Sequence, residues 1–238
     1  MKYKVILILV FIFLYTSLIA QDIKLGIQTG YGFYNMNSIS SITEQTKDQL
    51  FFESKIISNY PTYHYYQPML KFSHNNFDYG LIYRFQTTGS RISSKDYSGE
   101  YALDSKINGH CPGVILNGIF QDHYLYKVGF VFQAGVNFSV LKIDEQIKID
   151  TIAINSNYRY LSHSFYIEPG INIIFPWNRY FFEFNIGFYK EFERNDYVMK
   201  DDEQNKILLK ENYEDFDMWD GLRLGISISY TLYKKKKD

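Results

Sequence analysis

Between residues 126 and 140 the chain alternates in character at every step. Tyr126, Val128, Phe130, Phe132, Ala134, Val136, Phe138 and Val140 form an apolar, aromatic-rich set. Lys127, Gly129, Val131, Gln133, Gly135, Asn137 and Ser139 form a set that is polar or small, apart from Val131. Successive side chains of a strand point to opposite faces, so this period of two predicts a strand with one oily and one polar side. The run exceeds the roughly 5–6 residues usual for a strand in a soluble protein. It suits a strand crossing a bilayer at a tilt, which needs about 9–11 residues in the apolar band.

The same alternation recurs along the chain. A first strand is predicted at Asp22–Tyr34, with Ile23, Leu25, Ile27, Tyr31 and Phe33 on its oily side. Others are predicted at 63–73, 77–88, 109–120, through 165–175, at 180–188 and at 222–232. Pro68 weakens the second strand by removing a ladder donor, and Ile115 and Ile119 blur the faces of the fourth. Turn signals at His74-Asn75-Asn76, 121–124 and Pro176-Trp177-Asn178-Arg179 separate closely spaced strands. Long polar connections are expected at 35–62, which holds apolar patches at Leu50-Phe51-Phe52 and Ile56-Ile57 and room for a helical turn, and at 89–108, 142–157 and 193–217. Eight strands with short turns on one side and long loops on the other predict an all-β fold, an eight-stranded antiparallel up-and-down transmembrane β-barrel with both termini on the short-turn side.

Two-faced alternation also describes a soluble lipid carrier, whose oily face points inward. The glycines separate the two. Gly26, Gly30, Gly32, Gly80, Gly113, Gly129, Gly135, Gly170, Gly187, Gly221 and Gly225 all fall on the polar face, and Gly118 falls on the oily one. An eight-stranded barrel is barely wide enough for its own side chains, so small residues belong inside. The polar face is therefore predicted to line the lumen and the oily face to meet lipid, every backbone group being paired around a closed ring.

Composition agrees with a surface that is half oily and half wet: 46% of the residues are hydrophobic and 19% aromatic, almost all Tyr and Phe. A net charge of −1 gives no ground for nucleic-acid binding. Cys111 is the single cysteine, which excludes an internal disulfide and a cysteine-based zinc site. Lys2 and Lys4 precede an unbroken apolar run over residues 5–15 that closes at Ala20-Gln21, the outline of a secretory signal peptide at 1–20 leaving a barrel domain at 21–238. Beyond it no apolar stretch is long enough for a membrane helix, so any spanning must be by strands.

Counting along the strands from the short-turn end places Arg84, Glu168, Arg223 and Gln133 at one height, all facing inward. An unpaired ion in so narrow a space is costly, so these four are expected to form an ion network that blocks the lumen. Lys71, Asp78, Lys127 and Glu183 are expected to form a lower tier. Catalytic chemistry finds little to stand on. His163 and Ser164 are a base and a nucleophile at the outer end of one strand, but adjacent strand residues point to opposite faces. His64, His74, His110 and His123 are scattered without metal spacing. Asp201-Asp202-Glu203 with Asp215, Asp217 and Asp220 reads as a solvated acidic surface, with weak calcium binding as a lesser alternative. Lys234 to Lys237 form a basic tail suited to anionic headgroups or to solvent.

The overall layout resembles the small single-chain outer-membrane β-barrels of the OmpX and PorT kind. Gly225 through Ile228 to Tyr230 resembles the terminal signal by which such barrels are recognised for assembly, and TGSRISSKDYSGEY, from Thr88 to Tyr101, resembles loop sequence in the group. The resemblance implies the outer membrane of a Gram-negative bacterium after signal-peptide removal, with both termini periplasmic. It also implies contact with outer-membrane lipid and with the machinery that assembles such barrels. It does not imply one activity. The expectation is a monomeric barrel, without enzymatic activity or cofactor, that serves structure or binds an extracellular ligand through four long mobile loops. The alternatives are a small membrane enzyme acting on lipid or peptide at the outer rim, and a soluble periplasmic lipid-carrying barrel.

Overall fold

The computed structural model describes residues 22–34, 36–97, 99–192, 195–200, 202–207 and 219–234. The expected signal peptide, the acidic residues Asp201, Asp215 and Asp217, and Lys235 to Lys237 lie outside these. The chain forms β1 (Asp22–Tyr34), α1 (Asn37–Gln49), β2 (Lys55–Asn59), β3 (Tyr63–His74), β4 (Phe77–Lys95), β5 (Glu100–Asp122), β6 (Lys127–Ile149), β7 (Ile152–Trp177), β8 (Tyr180–Phe192), β9 (Tyr197–Met199), β10 (Asp202–Ile207) and β11 (Gly221–Lys234). Antiparallel ladders join β1, β3, β4, β5, β6, β7, β8 and β11 in that order, and β11 pairs back onto β1. The ring of eight strands is an up-and-down barrel. The short strands β2 and β9 extend the sheet at one end, on β4 and β7.

The tight turns sit where Asn and Asp supply a left-handed backbone: Asn75 (φ 53), Asp150 (φ 52) and Asn178 (φ 58). Three prolines face outward and each interrupts one ladder. Pro68 stays in register with β1 and leaves a gap toward β4. Pro112 does the same between β4 and β6, and Pro169 between β6 and β8. A residue without an N–H pairs on one side only.

The strands are unequal, and this corrects the sequence reading. β1, β3, β8 and β11 have 12–14 residues, whereas β4, β5, β6 and β7 have 19, 23, 23 and 26. The long loops expected at 89–108 and 142–157 are instead continuations of paired strands, closed by a turn near 96–99 and by Asp150 and Thr151. There the two sides exchange character: the inward residues Ile92, Tyr101, Ile107 and Leu141 are buried while Arg91, Asp104 and Lys142 face outward, so the alternation continues in the opposite phase. The connection at 35–62 holds α1 and β2.

The barrel is oily outside. Outward residues from Leu25 on β1 to Leu232 on β11 are large, apolar and exposed around the whole ring. The inside is polar, and the exception proves instructive. Met69, Ile82, Ile115 and Val131 form one buried apolar layer across the lumen, which is why Ile115 and Val131 break their strands' patterns. Gly118 lies on the outer face, where the rings of Phe130 and Phe77 cover the place a Cβ would take. At the end opposite the short turns, Ile39 of α1 and Met36 just before it join Tyr63, Ile107, Tyr160, Tyr197 and Trp219 in a buried cluster that closes the lumen.

Candidate functional site

The middle of the lumen is built around one carboxylate. Arg84, Glu168 and Arg223 are 0%, 4% and 1% exposed, so an unpaired charge here has no water to turn to. Glu168 Oε2 accepts from Arg84 Nη1 at 2.6 Å and from Arg223 Nη1 at 2.9 Å. Each guanidinium spends its other N–H groups on neutral acceptors. Arg84 donates to Gln67 Oε1 at 2.7 Å and Gln133 Oε1 at 2.8 Å. Arg223 donates to the Tyr63 hydroxyl at 2.5 Å and Gln86 Oε1 at 2.7 Å. The planar fork of arginine suits several fixed acceptors at once.

Tyrosine rings collar these cations. Arg223 Cζ lies 3.5 Å from the Tyr189 ring centroid and Arg84 Cζ lies 5.0 Å from that of Tyr65. Tyr166 stacks on Tyr189 with centroids 4.9 Å apart. Glycines make the room: a Cβ on Gly32 would enter the Tyr63 ring, and one on Gly113 or Gly225 would meet the hydroxyl of Tyr166 or Tyr65. The chain's polar-face glycines are thus the negative image of its lumen tyrosines.

Beyond the apolar layer of Met69 and Ile82, toward the short turns, stand two more pairs. Lys71 Nζ meets Glu183 Oε1 at 2.7 Å and Lys24 Nζ meets Asp78 Oδ2 at 3.0 Å. Of the lower tier expected from sequence, Lys71, Asp78 and Glu183 lie here. Lys127 does not: it stands at the edge by the short turn, where it pairs with Asp122 at 2.6 Å, because β6 begins at that residue. Lys24 completes the tier and was missed, although its alternation with Leu25 places it inward. Gln28, Gln67, Gln86, Tyr63, Tyr65, Tyr166 and Tyr189 are likewise inward by strand phase, and Gln67, Gln86 and Tyr63 accept from the two arginines.

The remaining candidates do not converge. Ser164 points inward and donates to Glu191 Oε1 at 3.0 Å, while His163 points outward beside the Asn195 amide at 2.6 Å. They cannot act together. His110 and His64 also face outward, against the Tyr83 hydroxyl at 2.7 Å and Thr29 Oγ1 at 2.9 Å. Among the described residues no three His, Cys, Asp or Glu side chains group as metal ligands would.

A concave surface exists elsewhere, at the tips of the long hairpins. A cavity of about 380 Å³ is lined by Leu50, Phe52, Tyr101, Ile147 and Ile149, with Glu145 at its side. Phe52 and Tyr101 meet edge to face at 5.1 Å. Burial and the adjacent Glu145 push the Tyr101 hydroxyl up to about 12, so it stays protonated and donates to Glu145 at 3.2 Å. Phe51 and Tyr97 beside the cavity are fully exposed.

No protein-family model matches the chain, and no curated protein matches its sequence. Solved structures similar to it include two at low identity. One is Ail, the attachment invasion locus protein of Yersinia pestis, at 11% identity over 89% of this chain and 99% of that chain, with a TM-score of 0.36. The other is LpxR from Salmonella typhimurium, at 9% identity over 87% of this chain and 99% of that chain, with a TM-score of 0.22.

Proposed function

We propose that the chain is a monomeric outer-membrane β-barrel of a Gram-negative bacterium, of the OmpX and PorT kind, without catalytic activity. Both termini lie in the periplasm and the β4–β5 and β6–β7 hairpins extend from the cell to bind an extracellular partner. The observation that carries this reading is the inverted barrel: apolar side chains are exposed around the whole ring while ions and amides are buried within. Such a ring is insoluble in water and satisfied in hydrocarbon, where a closed set of ladders leaves no edge. No helix among the described residues is long and apolar enough to cross a membrane, so the strands carry the span. Within the ring the described inward face is mostly ions, amides and tyrosine hydroxyls, with one apolar layer, and not the continuous oily lining that a soluble lipid carrier requires.

A binding role is favoured over transport and over chemistry by what stands where. The lumen is filled by the Glu168 network and closed by the cluster around Trp219. The hairpin tips instead offer an apolar cleft flanked by fully exposed aromatic rings, the composition of a recognition surface.

Cell fractionation with heat-modifiable gel mobility tests the location, and recovery in the soluble fraction overturns it. An epitope inserted between Asp96 and Gly99 is expected to be labelled on intact cells. One inserted at Asn178 is expected to be labelled only after the outer membrane is opened. The reverse pattern overturns the orientation.

A further inference from the structure

On three neighbouring strands the outer surface changes from apolar to charged at the same ladder step. Outward positions carry no Asp, Glu, Lys or Arg from Gly118 to Asn108 on β5, from Val128 to Val140 on β6, and from Trp177 to Leu161 on β7. The next outward residue on each strand is a cation: Lys106, Lys142 and Arg159. Lys106 is directly opposite Lys142, and Lys142 is directly opposite Arg159. The row continues to Lys200, whose backbone N–H donates to Arg159 O at 2.8 Å, and ends on the other side at Gly89. All four cationic residues are exposed.

Like charges directly opposite in an antiparallel pair destabilise it. No carboxylate among the described residues pairs with this row, although Asp104 and Asp144 stand one outward step beyond Lys106 and Lys142. Lys106, Lys142 and Arg159 make no ion pair with another described residue, and the neighbouring Asp104 is held by Arg91 at 3.5 Å. Each charge stands two outward steps beyond His110, Phe138 and His163. Adjacent strands are about 4.8 Å apart, so three cations span roughly 10 Å along the border of the apolar band. The opposite side of the barrel lacks such a row: the outward ends of β1 and β11 are Phe33 and Leu222.

We propose that Lys106, Lys142 and Arg159 form a docking row for the phosphate groups of phosphorylated lipid headgroups in the outer leaflet. This rests on the outer-membrane reading above. The apolar band fixes the height at which headgroups lie, and the row meets them with three unpaired cations. A basic residue at a membrane surface strengthens binding to anionic lipid by about fivefold. The row therefore selects phosphorylated lipid on one side of the barrel and sets how the hairpins stand relative to the membrane.

The test uses the full mature chain folded in a neutral detergent. Bis-phosphorylated lipid A is titrated in and bound lipid is counted by native mass spectrometry, with dephosphorylated lipid A, phosphatidylglycerol and inorganic phosphate as further probes. The triple variant Lys106→Gln, Lys142→Gln, Arg159→Gln is expected to bind bis-phosphorylated lipid A about a hundredfold more weakly. The control pair Lys55→Gln, Lys95→Gln is expected to bind it as the natural chain does. Equal binding by the triple variant overturns the proposal, as does equal binding of dephosphorylated lipid A by the natural chain. Displacement of the lipid by millimolar inorganic phosphate shows a free-anion site and also overturns it. Heat-modifiable mobility is read on every variant. A triple variant that folds and still binds sinks the row alone, whereas a natural chain recovered in the soluble fraction sinks the membrane reading with it.

Discussion

The barrel treats its cations in two opposite ways. Inside, Arg84, Arg223, Lys71 and Lys24 each meet a carboxylate of the same chain at 2.6–3.0 Å. At the upper border of the outer face, Lys106, Lys142 and Arg159 meet one another across the ladders and pair with no carboxylate among the described residues. The difference lies in the surroundings available to each. A buried ion has only the protein to answer it, so its partner has to be encoded. An ion at the surface can be answered by solvent or by a second phase, so the chain leaves it open. A pairing census therefore separates the ions that hold this fold from those directed at its environment.

The strongest way to break the comparison is to open the inner network. Glu168→Ala leaves two buried guanidiniums without their shared anion and is expected to cost about 3–5 kcal/mol. The check is a urea titration in micelles followed by heat-modifiable mobility. Lys71→Met, which strands Glu183, is expected to fall at the low end of that range. Adding Glu183→Leu to it is expected to restore most of the loss, because two apolar groups leave nothing unpaired. A double variant as unstable as the single would show that packing, not charge, governs this tier. Phe132→Arg places a cation in the outer apolar band, away from the border, and is expected to cost roughly 2–4 kcal/mol by the same titration. The smallest effect sharpens the contrast from the other side. Lys142→Thr removes the middle charge of the row and is expected to raise stability in neutral detergent by about 0.2–1 kcal/mol. In the presence of bis-phosphorylated lipid A that gain is expected to vanish or reverse.

The sequence carried most of the ring because hydrophobic alternation reports two different environments. Where β6 runs from outward-facing Phe130 to lumen-facing Gln133, the contrast is large and the strand is plain. It was not legible above Val140, where the phase inverts: Lys142, Asp144 and Gln146 take the outward positions and Leu141, Ile143 and Ile147 the inward ones, so the oily outer side that marks the strand stops. The ladder continues to Ile149 all the same. A helical turn was legible within 35–62 but the length of α1 was not, since Asn37–Gln49 is mostly polar and its seat on the lumen rests on Ile39 and the preceding Met36. In the lumen, inward position could be counted for Arg84, Gln133, Glu168 and Arg223, and the structure brings these four within hydrogen-bonding reach. Partner choice could not be counted. Barrel stagger gives Asp78 to Lys24 and Glu183 to Lys71, and leaves Lys127 to Asp122 at the edge. The tyrosine collar was passed over because Tyr63, Tyr65, Tyr166 and Tyr189 look like more of the aromatic outer face until their strand phase is read.

Cys111 sits in the wall of this lumen, fully buried, with its thiol 3.3 Å from Asn137 Oδ1. It is the chain's single cysteine. A maleimide reagent therefore has one target, and reaches it only when β5 separates from its neighbours. The rate of labelling of the folded chain becomes a clock for spontaneous opening of the barrel, readable without any engineered probe.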